Sequence, residues 1–149
     1  MKLRSFQLSD VHAVQAIWKQ TASREREEET LKVLSRQVAD DRDLVLVAEI
    51  EGQVVGAIVG TMEKNVGFLY CLAVNPLFQG RGVGRRLTTM LEDRFRNKGV
   101  TRTQAVIDEG TEKLYPFYTH LGYQGVPSSF LVEKNWLFNV QENLKPISY

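Results

Sequence analysis

The stretch "LAVNPLFQGRGVGRRLTTML", Leu72 to Leu91, decides the fold of this 149-residue chain. It passes from apolar residues typical of a strand, through glycines at positions 80, 82 and 84, into apolar residues at helical spacing. Glycine weakens regular structure, so three glycines at alternate positions need a reason. A strand end, a glycine turn and a helix start together present backbone N–H groups and the positive end of a helix dipole, which favours a phosphate or pyrophosphate. The plainer alternative is a surface turn that caps a helix.

Two well-known phosphate-binding loops do not fit this stretch. A P-loop ends in Gly-Lys-Ser/Thr, whereas Gly84 is followed by Arg85. A dinucleotide-binding loop has a glycine three residues after its second glycine, and from Gly82 that position is again Arg85. The pattern that remains is Gln/Arg-x-x-Gly-x-Gly/Ala, matched by Gln79, Gly82 and Gly84, and nearby arginines can add charge-assisted contacts to an anion.

The patterns on either side predict a mixed α/β (α+β) sheet in the order β-α-α-β-β-β-α-β-α-β-(β). Alternating or branched apolar residues predict strands, and apolar residues at three- and four-residue spacing predict helices. A strand, a helix and a second strand in succession favour a parallel pair joined by a right-handed crossover. Strands are predicted over 3–6, 44–50, 54–62, 67–74 and 101–107, with closing strands at 123–126 and 129–134, and helices over about 10–21, 24–38, 83–99 and 114–121.

Composition predicts a single globular domain over 1–149, with 135–149 as a C-terminal extension that packs on the sheet or forms a homodimer contact. Apolar residues make up 43% of the chain and charged residues 25%, and the net charge is +1. That balance gives no general attraction to nucleic acid or to an anionic membrane. No apolar run approaches the ~20 residues that span a bilayer, and no signal peptide is evident, so a cytoplasmic location is expected. The single cysteine, Cys71, excludes an internal disulfide and lies too far from His12 and His120 to suggest a metal site.

Three segments together resemble the GNAT superfamily of acyl-CoA-dependent N-acyltransferases. Beside the Gln79 motif, "DLVLVAEIEGQVVGAIVG" (43–60) is similar to the second and third strands of that family. "LYPFYTHLGY" (114–123) is similar to its helix that ends in Tyr-x-x-x-Gly-Phe/Tyr. The resemblance covers nearly the whole chain and implies a GNAT-like fold in which strands four and five are parallel and splayed apart.

The resemblance also implies the cofactor, acetyl-CoA, and the residues that hold it. Backbone groups of the fourth strand pair with the pantetheine arm, and the N–H of Leu72 polarises the thioester carbonyl. The segment from Gln79 to Gly84 holds the pyrophosphate, with help from Arg85. The cofactor-binding set implied is Leu72, Ala73, Val74, Gln79, Gly80, Arg81, Gly82, Val83, Gly84 and Arg85.

The same resemblance gives Tyr118, four residues before Gly122, the role of catalytic acid that protonates the leaving thiolate. The alternative is that Tyr118 is only a core aromatic at helical spacing, and Tyr115 is the second choice of acid. His120 lies two residues further on, where it points elsewhere on the helix. The implied reaction is direct attack of a primary amine on the thioester in a ternary complex. An alkylammonium has a pKa near 10, so a base or a water chain must first remove a proton.

The chain departs from the family at the base and at the helix that carries Tyr118. Many members have a glutamate on the fourth strand, but the alternate positions Phe68, Tyr70 and Leu72 hold none. Glu63, Asp108 and Glu109, at strand ends, are the substitutes if they are not merely solvated loop charges. The family's asparagine, seven residues before the tyrosine, is Thr111 here. Pro116 predicts either a late helix start or a kink.

Cys71 is expected to be buried and inert, and to face the opposite side of the sheet from Tyr70 and Leu72 because side chains alternate along a strand. Glu25 and residues 27–29 are glutamates that either attract a cationic amine or face solvent. The acceptor implied is the amine of a small molecule or of a protein N-terminus. The rival function is a non-catalytic acyl-CoA sensor of the same fold.

Overall fold

A computed structural model describes residues 1–21, 24–107, 112–127 and 129–137, and for 24–27 and 30 it describes the backbone alone. Within these ranges the strands are β1 (Lys2–Ser5), β2 (Val45–Ile50), β3 (Gln53–Glu63), β4 (Val66–Val74), β5 (Arg102–Val106), β6 (Gln124–Gly125) and β7 (Leu131–Asn135). The α-helices are α1 (Val11–Thr21), α2 (Arg24–Asp40), α3 (Val83–Asn97) and α4 (Leu114–His120), and short 3-10 turns occupy 8–10, 42–44 and 76–78. This element order confirms the predicted one.

The described strands form one sheet in the order β1-β2-β3-β4-β5-β7-β6. Its pairs are antiparallel except β4 and β5, which are parallel and joined through α3. The predicted parallel step after the glycine loop is therefore confirmed. A parallel pair needs a crossover of this kind, whereas the antiparallel strands β2, β3 and β4 are joined by tight turns.

Helices cover both faces of the sheet. One apolar cluster, which includes Val14, Ile17 and Trp18, lies between α1, α2 and the sheet. The other includes Leu87, Phe95 and Tyr118 of α4, and lies under α3. With both faces covered, the central strands are apolar on both sides, which explains the unbroken apolar runs in the sequence.

Local packing answers the question raised by Pro116 and shows where Trp136 lies. Pro116 is the third residue of α4, within the first turn, where its missing N–H costs no helical hydrogen bond. Trp136 packs on the protein, because its Nε1 donates to Thr103 Oγ1 at 3.2 Å and Arg96 lies over its ring at 4.5 Å. Residues 138–149, the rest of the predicted extension, lie outside the described residues. Among the residues described, no helix has both the length and the apolar character needed to cross a bilayer.

Candidate active site

The site begins where β4 separates from β5. Their pairing runs from Val66 opposite Arg102 to Leu69 opposite Ala105 and then stops, although β4 continues to Val74. The register of β4 against β3 shifts at the same level, and Cys71 has a left-handed φ of 59°. A bulge of this kind bends a strand, so the outer half of β4 leaves a gap beside it.

Backbone groups of β4 face this gap. The N–H of Asn75 donates to Val55 O of β3 at 2.7 Å, so by the alternation of a strand the N–H of Ala73 also faces β3. The N–H groups of Leu72 and Val74 therefore face the gap. Of the three residues predicted to pair with pantetheine, two thus have backbone groups on the open edge, which is suited to accept an extended ligand as an added strand.

The glycine loop lies at the open end of this gap. Gly80 and Gly82 both have a φ of 81°, and α3 begins directly afterwards at Val83. Apart from the glycine and its two chain neighbours, no described residue has an atom within 4 Å of where a Cβ would stand on either glycine. The loop therefore combines left-handed backbone, free space and a helix N-terminus, which are the elements of an anion site.

The side chains of the loop residues differ in their surroundings: one is bound to β4, two are exposed and one is buried. Gln79 donates from Nε2 to Val74 O at 3.0 Å, so this side chain ties the loop to β4. Arg81 lies over the ring of Phe78 at 5.1 Å, and Arg81 and Arg85 are both exposed at the mouth of the loop. The side chain of Val83 is buried in the core, so only its backbone can reach a ligand. That these residues hold a cofactor stays a prediction.

Tyr118 lies in the core beneath the gap. It is 2% exposed, and its ring packs edge to face against Phe117 at 5.1 Å and Tyr123 at 5.2 Å. Burial, and then the nearby charge of Glu92 and the thiol of Cys71, raise the pKa of the Tyr118 hydroxyl. Tyr118 belongs to the same apolar cluster against which Leu72 and Val74, in the outer half of β4, are packed.

The other candidates on α4 are not brought to this position. Tyr115 is 47% exposed, and His120 is also exposed in the last turn of the helix. The fold therefore separates the two tyrosines that the sequence offered, and Tyr118 alone of them is buried beside the opened strand.

The prediction for Cys71 was right about Leu72, which faces the opposite side of the sheet, but wrong about Tyr70, which faces the same side. Cys71 packs with Tyr70 in the cluster under α1, whereas Leu72 packs in the opposite cluster under α3. The left-handed residue in the bulge interrupts the alternation on which the prediction depended. Cys71 is also half-buried rather than fully buried.

Of the three proposed substitute bases, the structure describes Glu63 alone, and Glu63 lies far from the gap. Glu63 is exposed and ends β3 opposite Val66, which is about 20 Å along β4 from Leu72 at the usual rise of a strand. Asp108, Glu109 and Thr111 lie outside the described residues.

A buried glutamate on α3 was missed by the sequence reasoning. Glu92 is 3% exposed and accepts a 2.7 Å hydrogen bond from the Tyr123 hydroxyl, which lies 2.7 Å from Thr103 Oγ1. Burial raises the pKa of Glu92, while the Tyr123 hydrogen bond opposes that shift. The sequence did hold one sign of this burial: Glu92 lies one turn after Thr88, next to the apolar stripe of α3.

The comparison with known proteins agrees with this geometry. Residues 11–123 match the model of the acetyltransferase (GNAT) family. An acetyltransferase of Pectobacterium atrosepticum is 29% identical over 126 residues, covering 85% of this chain and 89% of that protein. The crystal structure of PaiA N-acetyltransferase from Thermoplasma acidophilum with coenzyme A has a TM-score of 0.74 at 21% identity, over 90% of this chain and 98% of that one. The ribosomal-protein-alanine N-acetyltransferase of Brucella melitensis has a TM-score of 0.69 at 23% identity, over 91% of this chain and 99% of that one.

The chain belongs to the GNAT acetyltransferase family. It is therefore an acyltransferase with acetyl-CoA as its cosubstrate, and the expectation drawn from the three sequence segments is confirmed.

Proposed function

We propose that this protein transfers the acetyl group of acetyl-CoA to a primary amine, on a small molecule or a protein N-terminus, by direct attack in a ternary complex. The observation that carries the proposal is that the buried Tyr118 lies in the apolar cluster against which Leu72 and Val74, in the outer half of β4, are packed. An acid at that position is close to the backbone edge along which the thioester would lie.

In the proposed reaction the neutral amine nitrogen attacks the thioester carbonyl carbon. The N–C bond forms, and the N–H of Leu72 stabilises the negative charge that develops on the carbonyl oxygen. The C–S bond then breaks and the sulfur leaves as a thiolate, which takes a proton from the Tyr118 hydroxyl. The ammonium gives one proton to water before attack, and the nitrogen, which is positively charged once the N–C bond has formed, gives a second proton to water. Proton exchange with water then restores the Tyr118 hydroxyl.

The raised pKa of Tyr118 bears on this acid role in two ways. It keeps the hydroxyl protonated at neutral pH, so the proton is available. It also makes the phenol a weaker acid than an ordinary thiol, whose pKa is about 8.5. The transfer is favourable if the departing thiolate shares the same dry surroundings, because burial raises the pKa of a thiol as well.

The amine class of the acceptor is supported by the family and by a structural neighbour. The Brucella melitensis neighbour is named for acetylating the alanine of a ribosomal protein. An alanine N-terminus is a primary amine, and its pKa near 7.7–8.0 leaves a substantial neutral fraction at physiological pH. Such an acceptor needs only a water chain as base.

The test is to incubate the protein with acetyl-CoA and a panel of amino acids, polyamines, other amines and N-terminal peptides, and to follow free thiol release. Wild type should release thiol with at least one amine, and Tyr118→Phe should reduce that rate by about 100-fold or more, as loss of an acid–base group does. Tyr115→Phe, which removes the same hydroxyl from an exposed position, is the control and should stay near the wild-type rate. CoA binding without turnover on any amine would instead support the acyl-CoA sensor.

A further inference from the structure

Trp18, on α1, makes a hydrogen bond to the bulge of β4 that core packing alone does not require. Its Nε1 donates to the carbonyl oxygen of Cys71 at 3.0 Å. Trp18 is 2% exposed, so this contact is shielded from water. An indole N–H is a donor only, and a buried one normally has a partner, but here that partner is the peptide at which β4 changes direction.

We propose that Trp18 is a positioning residue for the acetyl transfer, because it holds the Cys71–Leu72 peptide with its N–H directed at the thioester carbonyl. This inference rests on the proposed function, since it concerns the group that stabilises the charge developing in that reaction. It adds a residue from the opposite face of the sheet to a site otherwise formed by β4, the glycine loop and α4.

The geometry of a peptide unit connects the indole to the gap. A trans peptide is planar, with its C=O and N–H in opposite directions. Because the Cys71 carbonyl points to Trp18 under α1, the Leu72 N–H points away from α1. Tyr118 packs on that side of β4, so the Leu72 N–H is directed to the side of the gap on which the proposed acid lies.

The conformation of Cys71 explains why such a restraint is useful. A left-handed φ is unfavourable for a residue with a Cβ, so the bulge needs interactions that hold it. The Trp18 hydrogen bond supplies one of them. It also polarises the peptide, which strengthens the N–H at the other end as a donor.

The first test compares Trp18→Phe with Ile17→Val. Trp18→Phe keeps an aromatic ring but loses the N–H, whereas Ile17→Val loosens the same turn of α1 without removing a hydrogen bond. We expect Trp18→Phe to lower kcat by about 10- to 100-fold, less than the loss of a whole oxyanion donor, with little change in the KM for acetyl-CoA. Ile17→Val should retain kcat. Equal kcat in a folded Trp18→Phe protein and in wild type would overturn the proposal.

A second variant and an NMR measurement make the test independent of whether Trp18→Phe folds and of which amine is the acceptor. Replacing Trp18 by 3-benzothienylalanine keeps the shape of the indole and replaces only the N–H. In the wild-type protein, the NMR signal of the Leu72 amide proton should move downfield when acetyl-CoA binds but not when CoA binds, because CoA lacks the thioester carbonyl. Both Trp18 variants should lose that shift.

The two readouts separate this inference from the proposed function. If no amine is acetylated but the Leu72 shift is present and depends on Trp18, the function fails and the positioning role stands. If amines are acetylated and the shift persists in both Trp18 variants, the positioning role fails alone. A wild-type amide that does not respond to acetyl-CoA would also overturn it.

Discussion

Gly80 and Gly82 have the same left-handed backbone, and the space in front of both is open. Gly84 differs, because it lies in α3 and an added Cβ would make ordinary contact with the Phe117 ring at 3.5 Å. The protein itself therefore tolerates an alanine at 84, in line with the Gly/Ala choice of the sequence pattern. At 82 an alanine would strain the backbone and enter the space predicted for the pyrophosphate.

Gly82→Ala should weaken CoA binding and lower the free energy of unfolding by about 1–2 kcal/mol, the usual strain of a left-handed alanine. Gly99→Ala is the matched control, because Gly99 has a φ of 92° and open space at the other end of α3. It should lose similar stability and keep CoA affinity. Gly84→Ala should keep affinity and gain up to about 1 kcal/mol, since alanine favours a helix. Titration calorimetry and urea unfolding measure both quantities, and equal CoA affinity in the 82 and 99 variants would show that the loop is assigned wrongly.

Between elements, glycines of the sheet set how closely α3 approaches it. A Cβ on Gly60 would lie 2.7 Å from Phe95 Cζ, and one on Gly67 would lie 2.8 Å from Phe95 Cγ. The Phe95 ring therefore occupies the space that a larger side chain at position 60 or 67 would need. Because α3 starts at the glycine loop, its contact with β3 and β4 also fixes the loop against the gap.

Gly67→Ala should therefore cost about 1–3 kcal/mol of unfolding free energy, as overpacking of a rigid ring does. Phe95→Leu should partly relieve it, so the double variant should be more stable than the sum of the two single losses predicts. Gly125→Ala, where the nearest atom is 3.8 Å away, serves as the control. Denaturant unfolding of the wild type, the two single variants and the double variant measures this coupling. Additive losses of unfolding free energy would show that the ring contact is not the cause.

The order of elements was predictable because each depends on short-range patterns: apolar alternation for β2 and β3, helical spacing for α3, and glycines between them. The bulge was not, because a cysteine gives no sign of a left-handed φ and the conformation is held by Trp18, which is distant in sequence. Glu92 was missed for a similar reason. A glutamate is expected at the surface, and its burial depends on a hydroxyl 31 residues away.

Across the whole molecule, one buried series of hydrogen bonds joins the end of the sheet to α3. An indole only donates, so Trp136 must donate to Thr103, which leaves the Thr103 hydroxyl to donate to Tyr123 and Tyr123 to donate to Glu92. Glu92 is therefore the acceptor at which the series ends. Tyr123 also packs edge to face on the Tyr118 ring, so the network that holds Tyr123 in place also helps to position the proposed acid.

The charge of Glu92 should make the stability of the protein depend on pH. Burial raises its folded pKa above the ordinary 4.5, so its contribution is complete below that value and is lost as pH rises through the folded pKa. Glu92→Gln cannot ionise, and its amide oxygen still accepts from Tyr123. The stability of Glu92→Gln relative to wild type should therefore increase as pH rises.

Urea unfolding of both proteins at several values between about pH 4 and 8 measures this difference. Glu28→Gln, at an exposed position of α2, controls for the loss of one negative charge and should show a flatter difference from wild type. A difference between Glu92→Gln and wild type that stays constant or falls with pH would show that the network accommodates the carboxylate without cost. In that case the hydrogen bond from Tyr123, which lowers the pKa of Glu92, outweighs the burial that raises it.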